Sequence, residues 1–385
     1  MVVRVDVSPD LLQWAVERAG WDDATIERRV PTMNAWITGT AQPTLKQLED
    51  FASATHAPFG MLFLPTPPDE EIPIPDMRTV GNTAVPQPSA DLLDTIYICQ
   101  RRQEWYRGFA QEHGLIGPEF VGSANVDTPP VRVAEEMRDL LSFNQADRRA
   151  LTSWTVALRS LVDRIEGAGV LVMINGVVGA DTHRKLDPEE FRGFALSDQT
   201  APLIFVNGAD TKAAQIFTIV HEFAHIWLGG SALSDANMAS RTGVEEELWC
   251  NGVAAEFLVP LADLRGIYRG EPTVEELERI ARDFRVSTLV VLKRLYDAEF
   301  LSWFDYRELF EGERRRVLQF IDGKRDEPGG GDYYRTQPLR LSRRFARAVI
   351  DSAMEGTTTF REAYQLLGTR KRETFDKLAE RLGVV

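Results

Sequence analysis

Apolar positions recur along this chain in two rhythms. In residues 1 to about 64 they form short helical stripes: Leu11, Leu12, Ala15 and Ala19, then 24–29, 32–38 and 45–55. Ser8-Pro9-Asp10 marks the first start, with Ser8 as N-cap and Pro9 at the first helical position. Gly39 and Pro43 precede the last stripe. Short helices joined by tight turns predict a helix-turn-helix bundle over 1–65. Residues 66–87 are a proline-rich linker: Leu64 to Pro75 holds five prolines and the acidic Asp69, Glu70 and Glu71, a composition that favours extended backbone.

Helical periodicity returns over 88–109, 131–141 and 153–166. The rhythm then changes. Residues 169–174 are a β-branched run after a glycine, and 191–196 and 202–206 are apolar runs either side of Ser197-Asp198-Gln199-Thr200, so three strands are expected. Helices are expected again over 211–228 and 244–258. The pattern predicts an α+β multidomain chain: a helical lead-in (88–150) to a domain ending near 265, with a small sheet and helices packed on it. Two further helices, 273–284 and 287–296, meet at Arg285-Val286 and resemble another helix-turn-helix, in a domain over 266–328. Gly329-Gly330-Gly331 punctuates the chain before a basic helical segment, 329–385, which counts 11 Lys+Arg against 6 Asp+Glu from residue 333 onward.

Composition narrows the classes. At 44% hydrophobic and 26% charged the chain can bury a sizeable core, and a net charge of −14 argues against a nucleic-acid coat. Two cysteines, Cys99 and Cys250, do not make a disulfide scaffold and suit a reducing compartment. The N-terminus lacks a signal-peptide pattern, and no run approaches the ~20 apolar residues of a membrane span. The expected location is cytoplasmic, without a membrane partner.

The chemistry lies in His221-Glu222-Phe223-Ala224-His225. Histidines four apart project from one helix face, so both imidazoles can reach one ion, and zinc is the cation such a pair most often serves. Glu222, beside the first, can take a proton from water activated at that ion. A buried helix carrying two histidines and a glutamate needs a reason for its polar groups, and metal ligation supplies one. A third ligand must come from elsewhere. Glu245, Glu246 and Glu247 open the next helix; Glu247 is favoured because Asn251 follows it at i+4, where an amide can orient a ligand histidine. Oxyanion stabilisation is expected from His183 or Arg192, near the strand run 191–196, although a surface or ion-pairing role suits either residue. That run or 202–206 is expected to form the sheet edge to which an extended peptide could add.

These residues resemble the ImmA/IrrE family of metallopeptidases, in the subgroup with an N-terminal Xre-like helix-turn-helix domain. The resemblance is carried by Phe191-Arg-Gly-Phe194, Pro202-Leu-Ile-Phe-Val-Asn207, Phe217-Thr-Ile-Val-His-Glu-Phe-Ala-His-Ile-Trp227 and Glu247-Leu-Trp-Cys-Asn-Gly-Val-Ala-Ala-Glu-Phe-Leu-Val-Pro260, with Pro43-Thr-Leu-Lys-Gln-Leu-Glu49 and Pro58-Phe-Gly-Met-Leu-Phe-Leu-Pro65 in the N-terminal part. It implies a gluzincin-like site: His221, His225 and Glu247 on zinc, Glu222 as base. It also implies a regulatory protease whose substrate is a repressor or antitoxin. Two positions depart from the family pattern: Cys250 stands where a small alanine is usual, and Val253 where phenylalanine is usual.

DNA is the other partner such a chain invites. Residues 1–65 carry five Lys+Arg against eight Asp+Glu, too few cations for many phosphate contacts, which favours a protein-docking role there. The rival to the enzyme reading is a non-proteolytic regulator or antitoxin-like protein, binding a partner or DNA, with zinc structural or absent.

Overall fold

The computed structural model describes residues 3–76, 88–234, 245–324 and 339–384. They group into two compact units, one of Met1–Pro73 with Pro86–Ile96, the other of Ile74–Val85 with Tyr97–Val385. Part of the expected linker (77–87), the first residue of the expected helix 244–258 and the triple glycine lie outside the described residues.

The first unit is all-helical: α1 (Pro9–Arg18), α2 (Asp23–Arg29), α3 (Met33–Ile37) and α4 (Leu45–Thr55), then a 3₁₀ turn, Phe59–Phe63. The Ser8 hydroxyl makes no capping bond, whereas Thr44 and Gln47 cap α4 reciprocally. Leu12, Val16, Met33, Leu48 and Phe51 form its core, with Trp21 and Trp36 edge-on to Phe51 at 6.5 and 6.2 Å. Arg18, almost fully buried, pairs with Glu70 and Asp94 at 2.8 Å each.

Helix α5 (Ala90–Glu112) belongs to the first unit as far as Ile96 and to the second from Tyr97; in the second unit α6 (Pro130–Leu141), α7 (Gln145–Ala150) and α8 (Trp154–Gly167) then lead into strands β1 (Leu171–Asn175), β2 (Val177–Val178), β3 (Asp181–Lys185), β4 (Gly193–Leu196), β5 (Leu203–Asn207) and β6 (Ala232–Ser234). Helix α9 (Lys212–Leu228) joins β5 to β6, and α10 (Glu245–Leu258) and the short α11 (Leu261–Ile267) follow. The four-stranded sheet runs β1-β5-β4-β6; β1 pairs with β5 in parallel, and β4 is antiparallel to both β5 and β6. The strands expected at the edge, β4 and β5, are therefore interior. The edge beside β4 is β6, three residues long and too short to show an alternating pattern. β2 and β3 form a separate two-stranded hairpin.

Helix α9 lies across β4 and β5, with α8 and α10 beside it. Its Ile216, Ile219, Val220, Phe223 and Ile226 are buried in one core with Val253, Ala254 and Phe257 of α10. The same core takes in Ile280 and Phe284 of α12 (Val274–Phe284) and Val291 and Leu295 of α13 (Thr288–Asp297). Three short helices, Arg343–Glu355, Phe360–Leu366 and Arg372–Leu382, end the described chain.

Candidate metal centre

Helix α9 is buried over most of its length because Ile216 to Trp227 is apolar apart from Thr218 and the His-Glu-x-x-His residues. Both ends are fixed: Thr211 accepts from Ala214 N–H at the start, and Gly229 closes the end at φ 78°. His221 and His225 thus point from a rigid helix into the interior, both essentially without exposure.

Glu247 meets them from the first turn of α10. Its Oε1 lies 3.0 Å from His225 Nε2, its Oε2 3.2 Å from His221 Nε2, and the two Nε2 atoms are 3.2 Å apart. One nitrogen or oxygen from each residue can share a single ion. Ligands at 2.0–2.1 Å on a tetrahedral zinc stand about 3.3 Å from one another. The triangle seen is close to that face, so the donors fit zinc in number, type and spacing. Of the three consecutive glutamates only Glu247 is buried; Glu245 is exposed and Glu246 half-buried.

Glu222 is fully buried, and neither carboxylate oxygen has a hydrogen-bond partner. Burial pushes its pKa well above the usual range, and the negative Glu247 raises it further. Burial also pushes Glu247 up, but His221 and His225 outweigh that and hold it well below. For His225 burial lowers the pKa, against the pull of Glu247. An unpaired acid beside three converging donors is a polar cluster in want of a cation and water. Burial and the surrounding glutamates raise Cys250 well above its usual value, and it is not one of the three converging donors.

Two residues missed in the sequence complete the site. Ser234, at the end of β6, places Oγ 3.2 Å from Glu247 Oε1 and 3.3 Å from His225 Nε2. Gly193, first in β4, lies against Glu222: a Cβ there would stand 3.0 Å from Glu222 Oε1 and 2.6 Å from Thr218 Cγ2. A glycine opening an apolar run was the only signal for the second; the first had none.

The remaining predicted residues sit otherwise. Asn251 is one turn beyond Glu247, and its Oδ1, like His221 Nδ1, is buried without a hydrogen-bond partner, so the amide does not hold that histidine. His183 is exposed on β3, in the separate hairpin. Arg192 precedes β4 and pairs with Asp210 at 3.8 Å. Among the described residues neither shows a contact with the three donors.

Residues 165–296, about a third of the chain, match the family model described as the IrrE N-terminal-like domain, a peptidase-family domain. The match runs from the end of α8 to α13 and so contains the whole donor cluster. Residues 341–381 match a domain of unknown function, DUF8813. Neither a curated protein nor a solved structure matches the chain.

Proposed function

We propose that this chain is a zinc-dependent endopeptidase of the ImmA/IrrE type that cleaves a regulatory protein, a repressor or antitoxin, in the cytoplasm. The observation that carries the reading is the convergence of His221 Nε2, His225 Nε2 and Glu247 within 3.0–3.2 Å of one another beside an unpaired, buried Glu222. The match to a peptidase-family domain over these same residues supports it.

His221, His225 and Glu247 would hold the ion. Zinc there would supply a Lewis-acid centre that polarises the scissile carbonyl and acidifies water. Glu222 takes a proton from the attacking water on a carboxylate oxygen and returns it to the departing amine nitrogen, so that water is added across the C–N bond. Ser234 holds Glu247 in place, and Gly193 lets β4 approach the base. An extended substrate segment would add at β6, the edge beside the donors, using main-chain hydrogen bonds. The helical unit at the N-terminus would dock the substrate protein; its surplus of acidic residues favours that over DNA. Both cysteines are buried free thiols, in keeping with a reducing compartment.

The test joins metal content with turnover. Wild type should carry about one zinc per chain, His225→Ala and Glu247→Ala should lose it, and Glu222→Gln should keep it while cleavage of a quenched-fluorescence peptide library disappears. Turnover retained in Glu222→Gln would overturn the mechanism. A wild type that binds no zinc would transfer the reading to a non-proteolytic regulator.

A further inference from the structure

Strand β6 ends beside the donor cluster, and its outer side is occupied. Leu233 N–H, directed away from β4, donates to Pro75 O at 2.9 Å, and Asp76 forms a parallel bridge with Leu233. Ile74 is buried, at 7% exposure, whereas Pro75 and Asp76 are exposed. Residues 74–76, from the proline-rich stretch, thus lie along the sheet edge next to Ser234, whose hydroxyl reaches both Glu247 and His225. The segment belongs to the same compact unit as the metal centre.

Its chemistry is that of a removable occupant. Pro73 and Pro75 carry no N–H, so the segment offers carbonyls to the edge but few donors. A peptide with ordinary residues at those positions could make more ladder bonds. One buried branched aliphatic side chain, Ile74, anchors the segment between the two prolines.

We infer that the outer edge of β6 is the peptide-docking edge of the metal centre and that Ile74–Asp76 is its resident occupant. An incoming extended segment with a branched aliphatic residue in the place of Ile74 must displace it. The inference rests on the endopeptidase reading only in naming that incoming segment as substrate; the docking edge itself stands on the strand pairing.

The experiment uses the full chain as wild type, Ile74→Glu and the milder Ile74→Ala, all with chelator present. The probes are a dye-labelled peptide of the sequence of residues 70–77 and a control peptide with aspartate in place of its Ile74 residue. Putting a charge at a buried anchor should eject the segment. Leu233 amide hydrogen exchange should then quicken at least tenfold in Ile74→Glu, and the isoleucine peptide should bind it at least tenfold more tightly than wild type, the control peptide failing to bind. Ile74→Ala should move both readouts the same way by a smaller factor, which keeps the test decisive if the glutamate variant does not fold. Unchanged Leu233 protection in the folded variants, or equal peptide binding by wild type and variants, would overturn the inference. Neither readout uses metal or turnover: zinc binding and cleavage without these responses would sink this inference alone, and these responses in a chain that binds no zinc would leave the docking edge standing and remove the protease.

Discussion

At the scale of single residues the site depends on two positions that do not belong to the metal motif. A Cβ on Gly193 would lie 2.6 Å from Thr218 Cγ2, 2.9 Å from Phe205 O and 3.0 Å from Glu222 Oε1, so Gly193→Ala forces α9 and β4 apart. Overpacking of this kind costs about 1–3 kcal/mol. We expect a lower melting temperature, seen by calorimetry, together with a marked loss of peptide cleavage through the displaced Glu222. Full activity in a normally folded Gly193→Ala chain would contradict the close approach. Ser234→Ala removes a hydroxyl 3.2 Å from Glu247 Oε1. Zinc affinity should fall roughly 10-fold or more, as for other groups that orient metal ligands. Titration against a competing chelator measures it, and an unchanged affinity would show that Glu247 is held without Ser234. His221, Glu222 and His225 were legible in the sequence because one helical period relates them. Ser234 and Gly193 were not, because their contacts are made across the fold.

Helix α9 shows how an element fixes ligand geometry. At its end the Gly229 N–H caps Ile226 O, and the loop after α5 adds further donors: Gly122 N–H to Ile226 O at 3.1 Å and Ala124 N–H to Trp227 O at 3.0 Å. Gly229 turns into the left-handed region, φ 78°, with its absent Cβ only 2.9 Å from Gly122 Cα. Gly229→Ala therefore meets both backbone strain and a backbone clash. A loss of about 1–3 kcal/mol is expected, read as a lower midpoint in urea with an unchanged slope. A midpoint equal to wild type would show that the loop can retreat. The pattern of the chain located α9, α10 and the longer strands, since each spans enough residues to display its period. The short β6 and the hairpin strand β2 show none. Their pairing comes from the strands beside them, which is why the sheet edge was assigned to the wrong strands.

Across the second unit, polar bonds tie the C-terminal helices to the helices that precede the sheet. Ser342 Oγ donates to Glu166 Oε1, Arg344 Nε to Tyr106 Oη at 2.6 Å, and Arg102 Nε to Leu366 O at 3.0 Å. Burial pushes the Glu166 carboxyl up to about 7, against the Ser342 bond. An unfolded glutamate titrates near 4.3, so the folded chain binds the extra proton between these values. Stability from this group is present below about pH 4.3 and falls as pH rises through 7, by on the order of 3 kcal/mol. Glu166→Gln should accordingly be more stable than wild type at pH 8 and gain less at pH 5, compared by thermal unfolding. An equal gain at both values would mean that Glu166 does not titrate in this range.

The sequence by itself determined the α+β class, the helices and longer strands, and the pairing of His221 with His225 around Glu222. All of these follow from local periodicity, which a linear chain displays directly. It narrowed the third donor to three adjacent glutamates, of which Asn251 favoured Glu247. Only the tertiary structure buried Glu247 within 3.2 Å of both histidines, brought Ser234 to them and set Gly193 against Glu222. It also placed Ile74–Asp76 along β6 and left His183 and Arg192 without contact with the donors. Those outcomes depend on which distant segments share an interior, and that is decided by packing and by the pairing of backbone groups across the sheet.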